Sequence, residues 1–308
     1  HHWWGCCVTM ADWTDIWLKE GFAVLGEALW METYGEAEYR DYVLNEIMIP
    51  YLQSGEMFPI SDPTTPAEIF SYTTYEKAGA VLHMLRYVLG DDDYFGLMQD
   101  YFDQYAYGLV ETNDFRDAVE AYTGEDIDWF FDTWIHGQGY PVYDLEYSWQ
   151  QAGSQWKVTV DLQQVQTVGP VFEMPLQFLV QGASQDTVVV MWNDAQTQTE
   201  TFAVGFAPQS VEFDPYHNIL CGNKTGLENR PAPPAGTGTM LLGVNPVRTA
   251  TSVVWPGMEG QVLQTSVYDL AGRRMEVTPG SRAGMLSRPD PERMKNIAVQ
   301  ASGKTMPQ

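Results

Sequence analysis

The sequence predicts a multidomain α+β protein: a helical lobe over residues 1–138, an antiparallel β-sandwich over 139–222, a linker over 223–239 and a small β tail over 240–308. Three observations carry this. Apolar residues recur at three- and four-residue spacings as far as Ile135, the period changes to two over residues 142–213, and a run rich in Pro, Gly, Thr and Asn then breaks both patterns. At 308 residues the chain has room for two or more domains, and its 44% hydrophobic and 13% aromatic content can fill their cores.

In the first lobe Trp13, Trp17, Leu18, Phe22, Leu25 and Leu29 mark one buried helix face, with Asp12 as its N-cap. Val81, Leu82, Leu85, Val88 and Leu89 repeat the pattern, and Gly90 with Asp91, Asp92 and Asp93 stops it. Thr112, Asn113 or Asp114 caps a further helix reaching Tyr122 before Gly124, and a last one covers residues 126–135. Gly137, Gly139 and Pro141 end the helical texture. Residues 156–162 and 175–180 alternate, and residues 187–192 are a β-branched run. Strands this short, separated by turn signals, make a small sandwich. Arg230-Pro231-Ala232-Pro233-Pro234 stiffens the linker that follows.

Charge is divided unevenly. Residues 1–222 hold 35 acidic and 6 basic side chains, whereas residues 223–308 hold 6 and 10. An acidic body of this size repels phosphates, which excludes nucleic acid as a partner. No apolar run approaches the roughly 20 residues of a membrane-spanning helix. Three cysteines make no disulfide framework, and the adjacent Cys6 and Cys7 read as packed thiols.

The chemistry is concentrated in two stretches. His1-His2-Trp3-Trp4-Gly5 is followed by Glu20-Gly21-Phe22-Ala23, with eighteen residues between His1 and Glu20. Tyr75-Glu76-Lys77-Ala78-Gly79-Ala80-Val81-Leu82-His83-Met84-Leu85 comes later. Taken alone, two leading histidines read as a tag remnant, and a tyrosine opening an amphipathic helix reads as core or interface. Taken together, the stretches resemble the aminopeptidase N family of gluzincin zinc metallopeptidases, whose members read HExxH-x-WWG, WLNEGFA and Y-x-KGA-x-VL-x-ML in that order. Lys19 stands where the family has asparagine, and Ala78 where it has glycine. Gly139-Tyr140-Pro141, Phe172-Glu173-Met174-Pro175 and Phe213-Asp214-Pro215 resemble turns of the family's sandwich, so the likeness covers residues 1–221.

That resemblance implies a thermolysin-like catalytic lobe, one Zn2+ ion, and hydrolysis of N-terminal residues from peptides. It makes His1 the second histidine of HExxH and Glu20 the third zinc ligand. The first histidine, the base glutamate and the loop that binds the amino terminus would then lie upstream of His1, and the 308 residues as written would be inactive. Glu27, seven residues after Glu20 on the same helix face, would hold a ligand imidazole; its plain reading is a solvated glutamate. Tyr75 would stabilise the oxyanion of the tetrahedral intermediate. Lys77 reads as structural, and His2, His83, His136 and His217 as structural or exposed. Two other functions fit the same scaffold: a non-catalytic peptide-binding or cell-surface protein, and an epoxide-opening hydrolase. Finally, Asn245-Pro246-Val247 and residues 267–274 resemble the sorting domain of bacterial type IX secretion cargo. This implies a secreted or cell-surface protein with that secretion machinery as partner, although residues 276–308 show none of the final strands of such a domain.

Overall fold

Helix α1 (Trp17–Met31) organises the first lobe, because Trp17, Leu18, Phe22, Leu25 and Ala28 line one face and are nearly removed from solvent. The computed structural model describes residues 1–223 and the backbone of four later strands. Trp13 departs from the expected buried face. It lies in a 3-10 turn, Trp13–Asp15, remains 52% exposed and meets Phe70 edge to face at 6.0 Å. Asp12 caps that turn, accepting the Thr14 N–H, and does not cap α1.

After α1 come α2 (Glu36–Tyr42), a π-helical stretch Val43–Met48, α3 (Ile49–Ser54) and the short α4 (Pro66–Ile69). A π-helical turn, Thr73–Lys77, then leads into α5 (Ala78–Leu89), buried from Ala78 to Arg86. Helices α1 and α5 cross where side chains are smallest. A Cβ on Gly21 would lie 2.6 Å from the Ala78 Cβ, and one on Gly79 would lie 2.7 Å from Val24 Cγ1. This close approach brings Glu20 and Tyr75 to one place.

Gly90 ends α5 with φ 80°, yet Asp91, Asp92 and Asp93 do not stop helix formation. They form the first turn of α6 (Asp91–Tyr105), where carboxylates complement unpaired N–H groups and the positive end of the helix dipole. For α7 (Thr112–Thr123) the cap is Glu111, one residue earlier than expected, paired reciprocally with Asp114. The helical part closes with α8 (Asp128–Phe130) and a third π-helical segment, Phe131–Ile135. Strands β1 (Val8–Met10) and β2 (Gly108–Val110) pair in parallel at its edge.

The sandwich follows as β3 (Val142–Ala152), β4 (Gln155–Gln164), β5 (Met174–Gly182), β6 (Asp186–Asn193), β7 (Thr197–Val204), β8 (Pro208–Phe213) and β9 (Gly222–Asn223). One sheet runs β7-β4-β3-β9 and the other β6-β5-β8; the pairs are antiparallel except β3 with β9. Alternation buries Val158, Val160 and Leu162 of β4 and Met174, Leu176, Phe178 and Val180 of β5. The core continues from the lobe into the sandwich through Trp134 and Phe172, whose rings lie 4.7 Å apart. Polar contacts reinforce the junction: Arg40 Nη1 donates to the Tyr216 carbonyl at 2.6 Å, and the His83 Nε2–His217 carbonyl distance is 3.0 Å.

Four further strands, β10 (Thr239–Leu242), β11 (Leu263–Asp269), β12 (Arg274–Met275) and β13 (Ile297–Gly303), pair antiparallel in the order β10-β13-β11-β12. β13 arises where the sequence showed no strand. Most of the expected linker over 223–239, and the remainder of the tail over 240–308, lie outside the described residues. Cys6 is exposed rather than packed, and Cys7 and Cys221 are also free thiols. Among the described residues no helix is long and apolar enough to cross a membrane.

Candidate active site

Glu20 sits in the first turn of α1 and is only 4% exposed. Three groups converge on its carboxylate. His1 Nε2 is 3.1 Å from Oε2 and Lys19 Nζ is 2.8 Å from Oε1, and the Tyr75 hydroxyl lies near enough to feel the Glu20 charge. The fold thus brings together three side chains singled out in the sequence, His1, Glu20 and Tyr75.

The loop carrying His1 is held from below. Trp4 stacks on Phe22 at 4.5 Å, the Gly5 N–H donates to the Val8 carbonyl at 2.7 Å, and the Cys6 N–H donates to the His1 carbonyl at 3.0 Å. Gly5 adopts φ 119°, and a Cβ there would lie 3.0 Å from His1 Nδ1, so the turn needs glycine. His1 Nδ1 lies 3.1 Å from the Trp4 carbonyl, which can only accept, so Nδ1 carries the proton. In neutral His1 the Nε2 lone pair then faces a carboxylate oxygen at 3.1 Å. Two electron pairs at that distance repel each other unless a positive charge lies between them: a proton on the imidazole or a cation shared by both.

Zinc fits this donor set. It takes neutral imidazole nitrogen and carboxylate oxygen at about 2.0–2.2 Å, which places two ligand atoms of one tetrahedral ion about 3–4 Å apart. The Trp4 carbonyl on Nδ1 is the kind of outer contact that would orient an imidazole toward a metal. The carboxylate of Glu27, expected to hold a ligand imidazole, is exposed and accepts the Tyr42 hydroxyl at 2.7 Å. Burial, then the hydrogen bond to Glu27 and its charge, push the Tyr42 phenol up to about 12. Among the described residues a separate group of three carboxylates, Glu120, Asp126 and Asp128, lies close together on the surface, apart from the predicted ligands.

Tyr75 belongs to the π-helical turn, closed by the Lys77 N–H donating to the Tyr72 carbonyl at 2.9 Å. Glu56 fixes its start, accepting the Thr73 N–H at 2.7 Å and hydroxyl at 2.9 Å. Burial and then the Glu20 charge push the Tyr75 phenol up to about 12, so it stays a protonated donor at neutral pH. Burial, followed by Glu56 and Glu27 among the neighbouring charges, also raises Glu76.

The remaining histidines lie away from this convergence. His2 is exposed, and His136 Nδ1 is 2.8 Å from Ser61 Oγ. His83 is buried between the Tyr39 hydroxyl, 2.7 Å from Nδ1, and the His217 carbonyl. Glu56 was missed by sequence reasoning, because a carboxylate that accepts from a backbone N–H seventeen residues away leaves no spacing signature.

Residues 1–134 match the Peptidase family M1 domain. Glutamyl aminopeptidase of Sus scrofa is 33% identical over 156 residues, 47% of this chain and 16% of that protein. The Rattus norvegicus glutamyl aminopeptidase is 30% identical over 203 residues, 61% of this chain and 21% of that protein. The chain therefore spans about a fifth or less of the length of these curated relatives. In fold it is similar to Legionella pneumophila aminopeptidase A, solved in complex with aspartic acid: TM-score 0.56 and 18% identity, over 73% of this chain and 26% of that one.

Proposed function

We propose that this chain carries part of the active site of a zinc-dependent aminopeptidase, with His1 and Glu20 as metal ligands and Tyr75 as the oxyanion donor. The observation that carries the reading is the 3.1 Å approach of His1 Nε2 to Glu20 Oε2, with the Tyr75 phenol near enough to feel the Glu20 charge. It occurs within the stretch that matches the M1 domain, and the relatives of that stretch include aminopeptidases. When bound, zinc supplies a hydroxide nucleophile near neutral pH and polarises the scissile carbonyl. The Trp4 carbonyl keeps the His1 lone pair on Nε2, and Lys19 occupies Glu20 Oε1, leaving Oε2 as the donor toward His1. Tyr75 donates its proton in a hydrogen bond that strengthens as the substrate oxygen becomes negative.

Two donors fall short of the three protein ligands that a catalytic zinc site takes. The 308 residues alone are therefore expected not to turn over peptides. The test uses the protein produced from its own gene. It should release N-terminal residues from peptides, stop on chelation and resume with zinc, and its Glu20→Ala variant should lose its metal. Full zinc occupancy in that variant overturns the ligand assignment; hydrolysis that survives chelation overturns the reaction class. Residues 240–308 are, in the same proposal, an export tail that places the enzyme outside the cell. A reporter fused to residues 223–308 should leave a type IX-competent bacterium, and its retention in the periplasm overturns that part.

A further inference from the structure

Lys77 is a fully buried cation that the site chemistry above does not use. Its side chain is 0% exposed, and among the described residues no carboxylate pairs with it. Its Nζ donates to the Gly137 carbonyl at 3.2 Å and lies 6.0 Å from the centre of the Tyr51 ring. Burial alone pulls its pKa down to about 7. A buried ammonium with one carbonyl and one distant ring recovers little of its lost hydration, so stability does not explain a lysine here.

Its place in the backbone does. Lys77 ends the π-helical turn that holds Tyr75, and Gly137 lies two residues beyond the π-helical turn Phe131–Ile135, where the His136 N–H donates to the Phe131 carbonyl at 2.9 Å. Turns closed between residues five apart are rare and recur at functional sites. Gly137 cannot be replaced without moving this carbonyl, since a Cβ there would lie 2.1 Å from the Thr133 oxygen. Glu56 already fixes the start of the Tyr75 turn; Lys77 fixes its end.

We propose that Lys77 is a positioning residue: by tying the end of the Tyr75 turn to the Gly137 carbonyl, it holds the Tyr75 hydroxyl in place on the Glu20 side of the site. Its catalytic consequence rests on the aminopeptidase reading of Tyr75, whereas the anchoring itself does not. Lys77→Met keeps much of the volume and removes the donor, so the variant should resist urea at least as well as the parent.

Two measurements test the proposal. In hydrogen exchange on the 308-residue chain, Lys77→Met should speed exchange about tenfold or more at residues 73–77 and 131–137, leaving α6 and α7 unchanged. No local change, or equal acceleration everywhere, overturns the anchor whatever the protein catalyses. In the protein made from its own gene, Lys77→Met should keep its zinc and KM and lose about 10- to 100-fold in kcat, as misplacement of a reacting group does. That loss should disappear when Tyr75 is already phenylalanine. An equal loss in both backgrounds shows that Lys77 does not act through Tyr75, and overturns the proposal. Should Lys77→Met fail to fold, Lys77→Gln, too short to reach the carbonyl in the same way, takes its place with the same criteria. Hydrolysis insensitive to chelation, combined with the expected local exchange, overturns the aminopeptidase reading and leaves the anchor standing.

Discussion

A phenol held near pKa 12 beside a carboxylate is a donor and not a base, which limits what Tyr75 can do. It can stabilise an oxyanion, and it makes that bond at full strength only when the oxygen is charged. Tyr75→Phe should therefore lower kcat by about 10²–10³ with KM and zinc content nearly unchanged. Steady-state kinetics with metal analysis on the same preparation checks this; a zinc-replete variant working at the parental rate would leave Tyr75 as packing. The proximity of His1, Glu20 and Tyr75 was legible through the motifs that carry them and the eighteen residues between His1 and Glu20. Glu27 was assigned through the resemblance, and its bond to the Tyr42 hydroxyl was not legible in the sequence. Lys77 was read as structural, because its partner is a backbone carbonyl 60 residues away that no side-chain pattern records.

The helices themselves were legible wherever one face is apolar and the period is close to 3.6, as in α1 and α5. Their ends were less so, since acidic residues both follow a glycine stop and open the next helix, and Asp91, Asp92 and Asp93 do the second. The π-helical turns were not legible, because an apolar stripe does not encode hydrogen bonds between residues five apart. What the sequence did contain, unread, was the fit of α1 against α5. Gly21 meets Ala78 so closely that an added methyl would clash at 2.6 Å with an atom that has no rotamer to escape into. Gly21→Ala should destabilise the chain by about 1–3 kcal/mol, the usual cost of overpacking. The adjacent Glu20 should move with it, weakening zinc retention. Ala78→Gly in the same chain should restore part of the stability, because it removes the nearest clashing atom and leaves the tighter backbone contacts in place. Urea midpoints of the single and double variants decide it; no recovery in the double variant would place the strain elsewhere.

Across the whole molecule, the polar contacts that join lobe to sandwich could not be read from the sequence, because Arg40 and His83 pair with backbone more than a hundred residues away. His83 is central to that junction. The His217 carbonyl can only accept, so Nε2 donates to it and Nδ1 accepts the Tyr39 hydroxyl, which satisfies a neutral imidazole completely. Burial, the main cause, and the Arg86 charge pull its pKa down to about 3, against about 6.5 in an unfolded chain. Between those values the unfolded chain binds the proton more readily, so stability falls as pH drops from about 6.5 toward about 3 and is unaffected by this group above that range. At pH 4.5 the loss from this one residue is roughly 2–3 kcal/mol, from two pH units at about 1.4 kcal/mol each. His83→Gln keeps an amide donor and acceptor and cannot titrate, so its unfolding free energy should fall less between pH 7.5 and pH 4.5 than that of the parent, whatever its absolute stability. The many carboxylates of the acidic body contribute equally to both proteins and cancel in the difference. Urea unfolding of both chains at the two pH values is the measurement. Parallel losses would mean that His83 takes up its proton as easily in the fold as out of it, and that the lobe and sandwich are not locked through a neutral imidazole.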